Sequence, residues 1–296
     1  MHNRDQEKKC PYGILYVVAT PIGNINDMSS RAIEILTKVN LIASEDTRHS
    51  KKLLTHFNIK VRQISYHKHN EQKISAVLIN NLLNGKNIAL ISDAGTPSIS
   101  DPGDILIKKA RQKGISVSPI PGPCSISSAL SVSGYGSNKF QFIGFLPKQV
   151  SQKEKIFEKH ISENNYSLVF FESPNRLLET LKSIRKNYKQ ECNVVVVREI
   201  SKIHEEIIEL KVDECISFYE SKNPEKLKGE FVIIIPAQDI FDKRESFDDI
   251  ENFLTLLMNN DVSYANAIKI TCNKYSLKKN DIYKRYIQLA KAHDSD

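Results

Sequence analysis

Between Asn87 and Ser128 the chain twice runs through an apolar stretch, halts at a turn rich in glycine and proline, and restarts as a helix. Ile88 to Ile91 stops at Ser92-Asp93 and opens into a loop holding Gly95, Pro97, Asp101, Pro102 and Gly103. Ser116 to Ile120 stops at Pro121-Gly122-Pro123. Two strand ends that each feed a loop and then a helix describe the carboxyl edge of a mostly parallel sheet, where α/β proteins bind their ligands.

The same theme precedes this stretch. Ile14 to Ala19 ends at Thr20-Pro21-Ile22-Gly23-Asn24, and a helix starts near Ser29 with Ile33, Ile35, Leu36 and Val39 on its apolar side. Leu41 to Ser44 delivers Glu45-Asp46-Thr47-Arg48-His49, and Ile64 to His67 precedes a helix through Ile74 to Leu83. This alternation predicts a doubly wound α/β domain over residues 13–136, behind a disordered segment 1–12. From Phe140 the texture changes. Strands are expected at Phe140 (FQFIGFLP), Tyr166 to Glu172, Val194 to Glu199, Glu206 to Leu210 and Glu230 to Pro236, with helices at Ser151 to Asn164, after Arg176 and at Val212 to Tyr219. That is a second α/β domain, residues 137–240. Beyond Phe241 three helical patterns follow, Asp249 to Met258, Tyr264 to Cys272 and Lys278 to Lys291, the last rich in cations including Lys284 and Arg285. The tail 241–296 reads either as a small helix-turn-helix-like module or as a helical cover for the second sheet.

Several classes of protein are excluded. No apolar run approaches the roughly 20 residues of a membrane span, and Met1 to Lys9 lacks the apolar core of a secretory signal, so a cytoplasmic protein without a membrane is expected. The five cysteines are scattered without a C-x-x-C pair, which argues against a disulfide framework and against zinc; with the histidines dispersed, no metal is assigned. Gly134-Tyr135-Gly136 and Gly85-Lys86 lack the remaining residues of dinucleotide and triphosphate loops, which disfavours dehydrogenases and kinases. A formal charge of +7 suits a polyanionic partner, and equally a Lys- and Asn-rich sequence that has drifted basic.

The loops at successive strand ends therefore carry the site: Pro21 to Gly23, Asp93 to Gly103 and Pro121 to Pro123. Glycine lets a ligand approach main-chain groups, and proline holds the loop so that little entropy is lost on binding. Asp93 and Asp101 suit an ammonium or a ribose hydroxyl; each also suits a turn, with Asp101 before Pro102 a good helix cap. Arg176, Arg198 and Lys202 follow strands of the second half and suit RNA phosphates or surface ion pairs.

Taken in order, VATPIGNINDMSSRA, SEDTRHS, SDAGTPSISDPG, PGPCS, FFESPNR, REISKIHEE and KGEFVIIIP closely resemble the bacterial ribosomal RNA small subunit methyltransferase I family, of the tetrapyrrole-methylase-like class. The resemblance covers about Leu15 to Pro236 and extends more loosely to the tail. Cys124 and Asn175 depart from it, where serine and histidine are usual. It implies two α/β domains of the tetrapyrrole-methylase type with the cofactor cleft between them, and a small helical C-terminal extension. It further implies 2'-O-methylation of a decoding-centre cytidine in 16S rRNA, with S-adenosyl-L-methionine as donor, small-subunit RNA within the 30S particle as partner, and a homodimer. Carried over by position, the cofactor would meet Pro21, Gly23, Asp93, Ala94, Gly95, Thr96, Pro97, Ser100, Asp101, Gly122, Pro123, Ser125, Leu146 and Pro236. Glu45, Asp46 and Glu199 are the candidates to accept the hydroxyl proton, and Arg48, Arg176, Arg198, Lys202, Lys284 and Arg285 to hold RNA. The alternatives are a methyltransferase for a tetrapyrrole or other small molecule, and a non-catalytic RNA-binding protein on the same fold.

Overall fold

A computed structural model describes residues 12–136, 139–163, 165–188, 192–222, 227–237, 250, 253–257 and 262–275. The chain divides into two compact units, Met1–Ala237 and Gln238–Asp296.

The first unit contains two five-stranded sheets. In the first, β1 (Leu15–Val18), β2 (Leu41–Ser44), β3 (Gln63–Ser65), β4 (Ile88–Ile91) and β5 (Val117–Ile120) are ordered β3-β2-β4-β1-β5, and every pairing is parallel. The central β4 is buried along its whole length, which explains its unbroken IALI run: a parallel strand covered on both faces needs no alternation. The connections are α1 (Ser30–Lys38), α2 (Thr47–His56), α3 (Glu71–Leu83) and α4 (Asp104–Gln112), and α5 (Ser125–Val132) follows β5. Ser29 caps α1 by accepting the Ala32 N–H at 3.1 Å, and Asp46 caps α2 by accepting the Arg48 N–H at 2.8 Å. Two apolar clusters form, one centred on Leu15, Leu78 and Leu106 and the other on Val18, Leu36 and Ile42.

The second sheet is mixed. Its strands β6 (Phe140–Phe145), β7 (Ser167–Glu172), β8 (Asn193–Arg198), β9 (Glu206–Lys211) and β10 (Phe231–Ile235) are ordered β6-β7-β10-β8-β9. Only β6 and β7 are parallel; β10 runs antiparallel between β7 and β8, and β8 pairs antiparallel with β9. The central β10 (FVIII) is wholly buried, while β9 at the edge alternates half-buried and exposed residues. Helices α6 (Val150–Glu163), α7 (Leu177–Tyr188) and α8 (Val212–Ser221) supply a core around Phe157, Leu181 and Tyr219. Within it, His160 bonds Tyr188 Oη at 2.6 Å and the Tyr166 carbonyl at 2.7 Å, so a buried polar ring leaves no open demand. The other face of the sheet packs Val169, Val195, Val232 and Ile234 against Ile126, Ala129 and Leu130 of α5, which joins the two halves of the unit.

The second unit contains α9 (Tyr264–Tyr275), where the Lys274 ammonium lies 3.6 Å from the Phe253 ring centroid. Lys284, Arg285 and the expected helix Lys278 to Lys291 lie outside the described residues, as do residues 1–11. Among the described residues no helix is long and apolar enough to cross a membrane, and no group of three or more His, Cys, Asp or Glu could hold a metal ion.

Candidate active site

The strand-end loops meet. Thr20 and Gly95 exchange backbone hydrogen bonds at 2.9 Å in each direction, tying the loop after β1 to that after β4. The Thr96 hydroxyl donates to the Pro123 carbonyl at 3.3 Å, bringing in the loop after β5. Gly95 sits at φ +74°, and a Cβ there would lie 3.3 Å from the Ile22 side chain and 3.9 Å from Pro123 O. Gly122 closes the group, since its Cβ would come 3.0 Å from that of Ala19.

These loops wall a cavity of about 430 Å³. Glu45, from the end of β2, and Asp93 and Asp101, from the loop after β4, form its acidic side. Asp93 Oδ1 accepts the Asp46 N–H at 3.0 Å, which fixes the two strand ends together. Burial, then the Asp93 charge, raises Glu45 above the usual carboxylate range. Burial and then the Glu45 charge push Asp101 up to about 6, against the opposing pull of Ser92 and Lys68. The second α/β half contributes Phe145, Phe171, Glu172, Ser173, Gly229 and Val232 to the walls.

Ser125 and Ile126 also line the cavity, at the start of α5, where Cys124 makes no side-chain cap. The first N–H groups of a helix have no intrahelical partner, so this end offers donors and the positive pole of a dipole to an anionic ligand group. Cys124 itself lines the cavity with its thiol free.

Of the residues singled out in the sequence, Glu45, Asp93, Ala94, Gly95, Thr96, Ser100, Asp101 and Ser125 line this cavity. Asp101 is no helix cap, because Gly103 takes the N-cap position of α4. Pro21, Gly23, Pro97, Gly122 and Pro123 belong to the surrounding loops; Leu146 and Pro236 are buried and do not line the cavity. Asp46 points to Arg48, which donates to it at 3.0 Å and, with the α2 N–H groups, holds its carboxyl down to about 2. Glu199 is likewise committed. Its Oε1 accepts Lys202 Nζ at 2.7 Å and the Glu230 N–H at 3.0 Å. Burial would raise its pKa, but these bonds outweigh burial and hold the carboxyl below its ordinary range.

The cations divide in the same way. Arg176 donates to the Leu146 and Pro147 carbonyls at 2.9 and 3.0 Å and pairs with buried Glu172 at 3.5 Å. Arg198 donates to the Lys228 carbonyl at 2.9 Å. Lys202 also reaches Glu230 at 3.0 Å, and its loop meets that of Gly23, where a Cβ would lie 3.1 Å from Ile200 O. Ser201 donates to Asp27 across the same seam. Arg48, 91% exposed, keeps its side chain in solvent beside Asp46. The cavity residues outside the three strand-end loops include the apolar Ile126, Phe145 and Phe171 and the polar Glu172, Ser173 and Glu230.

The family model for tetrapyrrole (corrin/porphyrin) methylases matches residues 14–216. The chain is 41% identical over 280 residues to the ribosomal RNA small subunit methyltransferase I of Vibrio cholerae, covering 94% of this chain and 96% of that protein. It is 42% identical over 272 residues to that of Pasteurella multocida, covering 92% and 95%. Among solved structures, the methyltransferase CobJ superposes with a TM-score of 0.58 at 13% identity, over 76% of this chain and 95% of that one. The cobalt precorrin-4 methyltransferase CbiF gives 0.54 at 12%, over 75% and 94%; at such identities the likeness is one of fold.

Proposed function

The chain belongs to the ribosomal RNA small subunit methyltransferase I family within the tetrapyrrole methylases, S-adenosylmethionine-dependent enzymes that methylate ribosomal RNA, and we propose that it acts on the ribose 2'-hydroxyl of a decoding-region cytidine. The observation that carries this reading is the convergence of Glu45, Asp93 and Asp101 on one cavity that also receives the uncapped start of α5.

The residues present fit the cofactor. The volume is that of a small-molecule site, the acidic side suits a ligand bearing sulfonium and ammonium charges, and the N–H groups of α5 suit its carboxylate. Gly95 leaves the backbone open to close approach. We assign Asp93 to Pro97, Ser100, Asp101 and Ser125 to holding the cofactor, with Pro21, Gly23, Gly122 and Pro123 shaping the loops and Leu146 and Pro236 backing the walls. When bound, S-adenosylmethionine supplies an electrophilic methyl group.

A ribose hydroxyl is a poor nucleophile until its proton has an acceptor. Glu45 takes this role in our reading: it lines the cavity, and burial beside Asp93 raises its affinity for a proton. Asp101 shares the load, because two neighbouring carboxylates in a half-buried site titrate as a pair. Asp46 and Glu199 serve by position, one capping α2 and the other holding Lys202. The protein's larger contribution is alignment and exclusion of water. Exposed Arg48 and the basic tail with Lys284 and Arg285 hold phosphates of the small subunit, and a homodimer would present one tail to the other's cavity. This work belongs in the cytoplasm, where ribosomes assemble.

Purified protein with tritiated S-adenosylmethionine and unmethylated small ribosomal subunits tests the proposal. Label should enter the RNA as ribose methyl. Label in a base of the RNA, or only in an added tetrapyrrole, would refute it.

A further inference from the structure

On β6 the pairing with β7 slips between Phe142 and Phe145. Phe142 stands opposite Val169 and Phe145 opposite Phe171, so three steps along one strand match two along the other. One extra residue in a strand inverts the facing of everything after it. Without it, Phe145 would share the face of Ile143, toward the core around Leu168 and Phe170. With it, Phe145 joins Phe142 and Phe171 on the opposite face, its ring 5.5 Å from that of Phe171, which in turn lies 4.9 Å from Phe142. Gly144 permits the inversion at φ +70°, and its Cβ position falls 3.3 Å from Ser100 Oγ, beside Asp101.

The inversion costs apolar burial, since Phe145 is 57% exposed. A ring taken out of a core and set at the edge of a ligand cavity has a use there. Phe145 and Phe171 line the same cavity as Glu45 and Asp101. Single-stranded RNA is read largely by stacking of unpaired bases on such rings, and an exposed ring at the edge of the cavity is placed to take the base of a nucleotide whose ribose enters it. We infer that Phe145, backed edge-on by Phe171, is the platform on which the target nucleotide's base stacks while its ribose enters the cavity. This assignment rests on the RNA reading above. The exposed ring suits a group arriving from a macromolecule; a cofactor adenine would use the enclosed walls.

The test uses the full chain, with unmethylated small ribosomal subunits as substrate and calorimetry for the cofactor. Stacking on one aromatic side chain is worth a factor of about 5 to 150 per base. Phe145→Ala should therefore raise KM for the subunits about tenfold or more while leaving S-adenosylmethionine affinity unchanged. Phe145→Tyr should restore KM; Phe145→Leu, apolar but unable to stack, should not. An unchanged KM in Phe145→Ala, full rescue by Leu, or a matching loss of cofactor affinity would overturn the platform with the RNA reading intact. Failure of the unaltered enzyme to methylate any ribose would remove both.

Discussion

Thr20 and Gly95 hold each other through two backbone hydrogen bonds of 2.9 Å, 75 residues apart in sequence, and Thr20 Oγ1 reaches back to the Ser92 carbonyl at 3.3 Å. This bridge fixes the loop after β4 against the first strand, and so sets the main-chain wall of the cavity. Gly95 occupies it at φ +74°, where an L side chain costs about 1–2 kcal/mol. Gly95→Ala should lower Tm modestly and weaken S-adenosylmethionine binding about tenfold, because Ile22 must yield to the new methyl group. Calorimetric titration of the variant would show it, and an unaltered Kd would mean that the bridge does not shape the site.

Asp101 sets a pH dependence. Its proton is held up to about 6, whereas an unfolded carboxylate releases it near about 4. The folded form therefore gains most below the lower value and loses that contribution as pH rises through about 6. In the proposed reaction catalysis runs the opposite way, since the pair would have to be deprotonated to accept the ribose proton. We expect kcat/KM to rise along a limb centred near pH 6. Asp101→Asn should move that limb toward lower pH, because Asp101, which burial and the Glu45 charge raise, no longer titrates, and should raise Tm at pH 8 by removing a desolvated charge. A limb that does not move excludes the pair.

Lys202 joins Glu199 to the cavity-lining Glu230. It is 29% exposed, and Glu199 only 18%, so Lys202→Met strands a half-desolvated carboxylate. With allowance for that exposure the loss should be about 1–2 kcal/mol, or several degrees in Tm. Adding Glu199→Gln should recover part of it, and thermal denaturation of the double-mutant cycle measures the coupling. Strict additivity would show that the pair contributes nothing.

Two of the arginines singled out as RNA contacts, Arg48 and Arg176, should behave differently. Arg48 is solvent-exposed, whereas Arg176 spends its donors on the Leu146 and Pro147 carbonyls and on Glu172. Arg48→Ala should reduce the slope of log K against log salt for RNA binding by about 1, without affecting stability. Arg176→Ala should leave the slope alone and lower Tm. Filter binding across a salt series, paired with melting curves, separates them; the reverse pattern would exchange their roles.

Where local sequence dictates structure, the chain could be read directly. The IALI run, its stop at Ser92-Asp93 and the glycines beyond announce a buried parallel strand with a ligand loop, and the cavity lies there. What sequence left open depends on contacts distant along the chain. Asp101 suits a cap as well as a ligand, and only the start of α4 at Gly103 decides between them. Arg176 and Glu199 look like free charges until their partners, Leu146, Pro147 and Lys202, come into place. The antiparallel insertion of β10 between β7 and β8 has no signature in FVIII itself, which reads like any buried strand. Phe145 is the clearest case: periodicity assigns it to one face of β6, and one extra residue moves it to the other.

The central claim, ribose methylation of small-subunit RNA from this cavity, is tested most directly by mass spectrometry of nucleosides from that RNA, from cells with and without the protein. The account predicts a 2'-O-methylcytidine that is present with the protein, absent without it, and not restored by a Glu45→Gln, Asp101→Asn double variant. An unchanged nucleoside profile, or restoration by that variant, would contradict it.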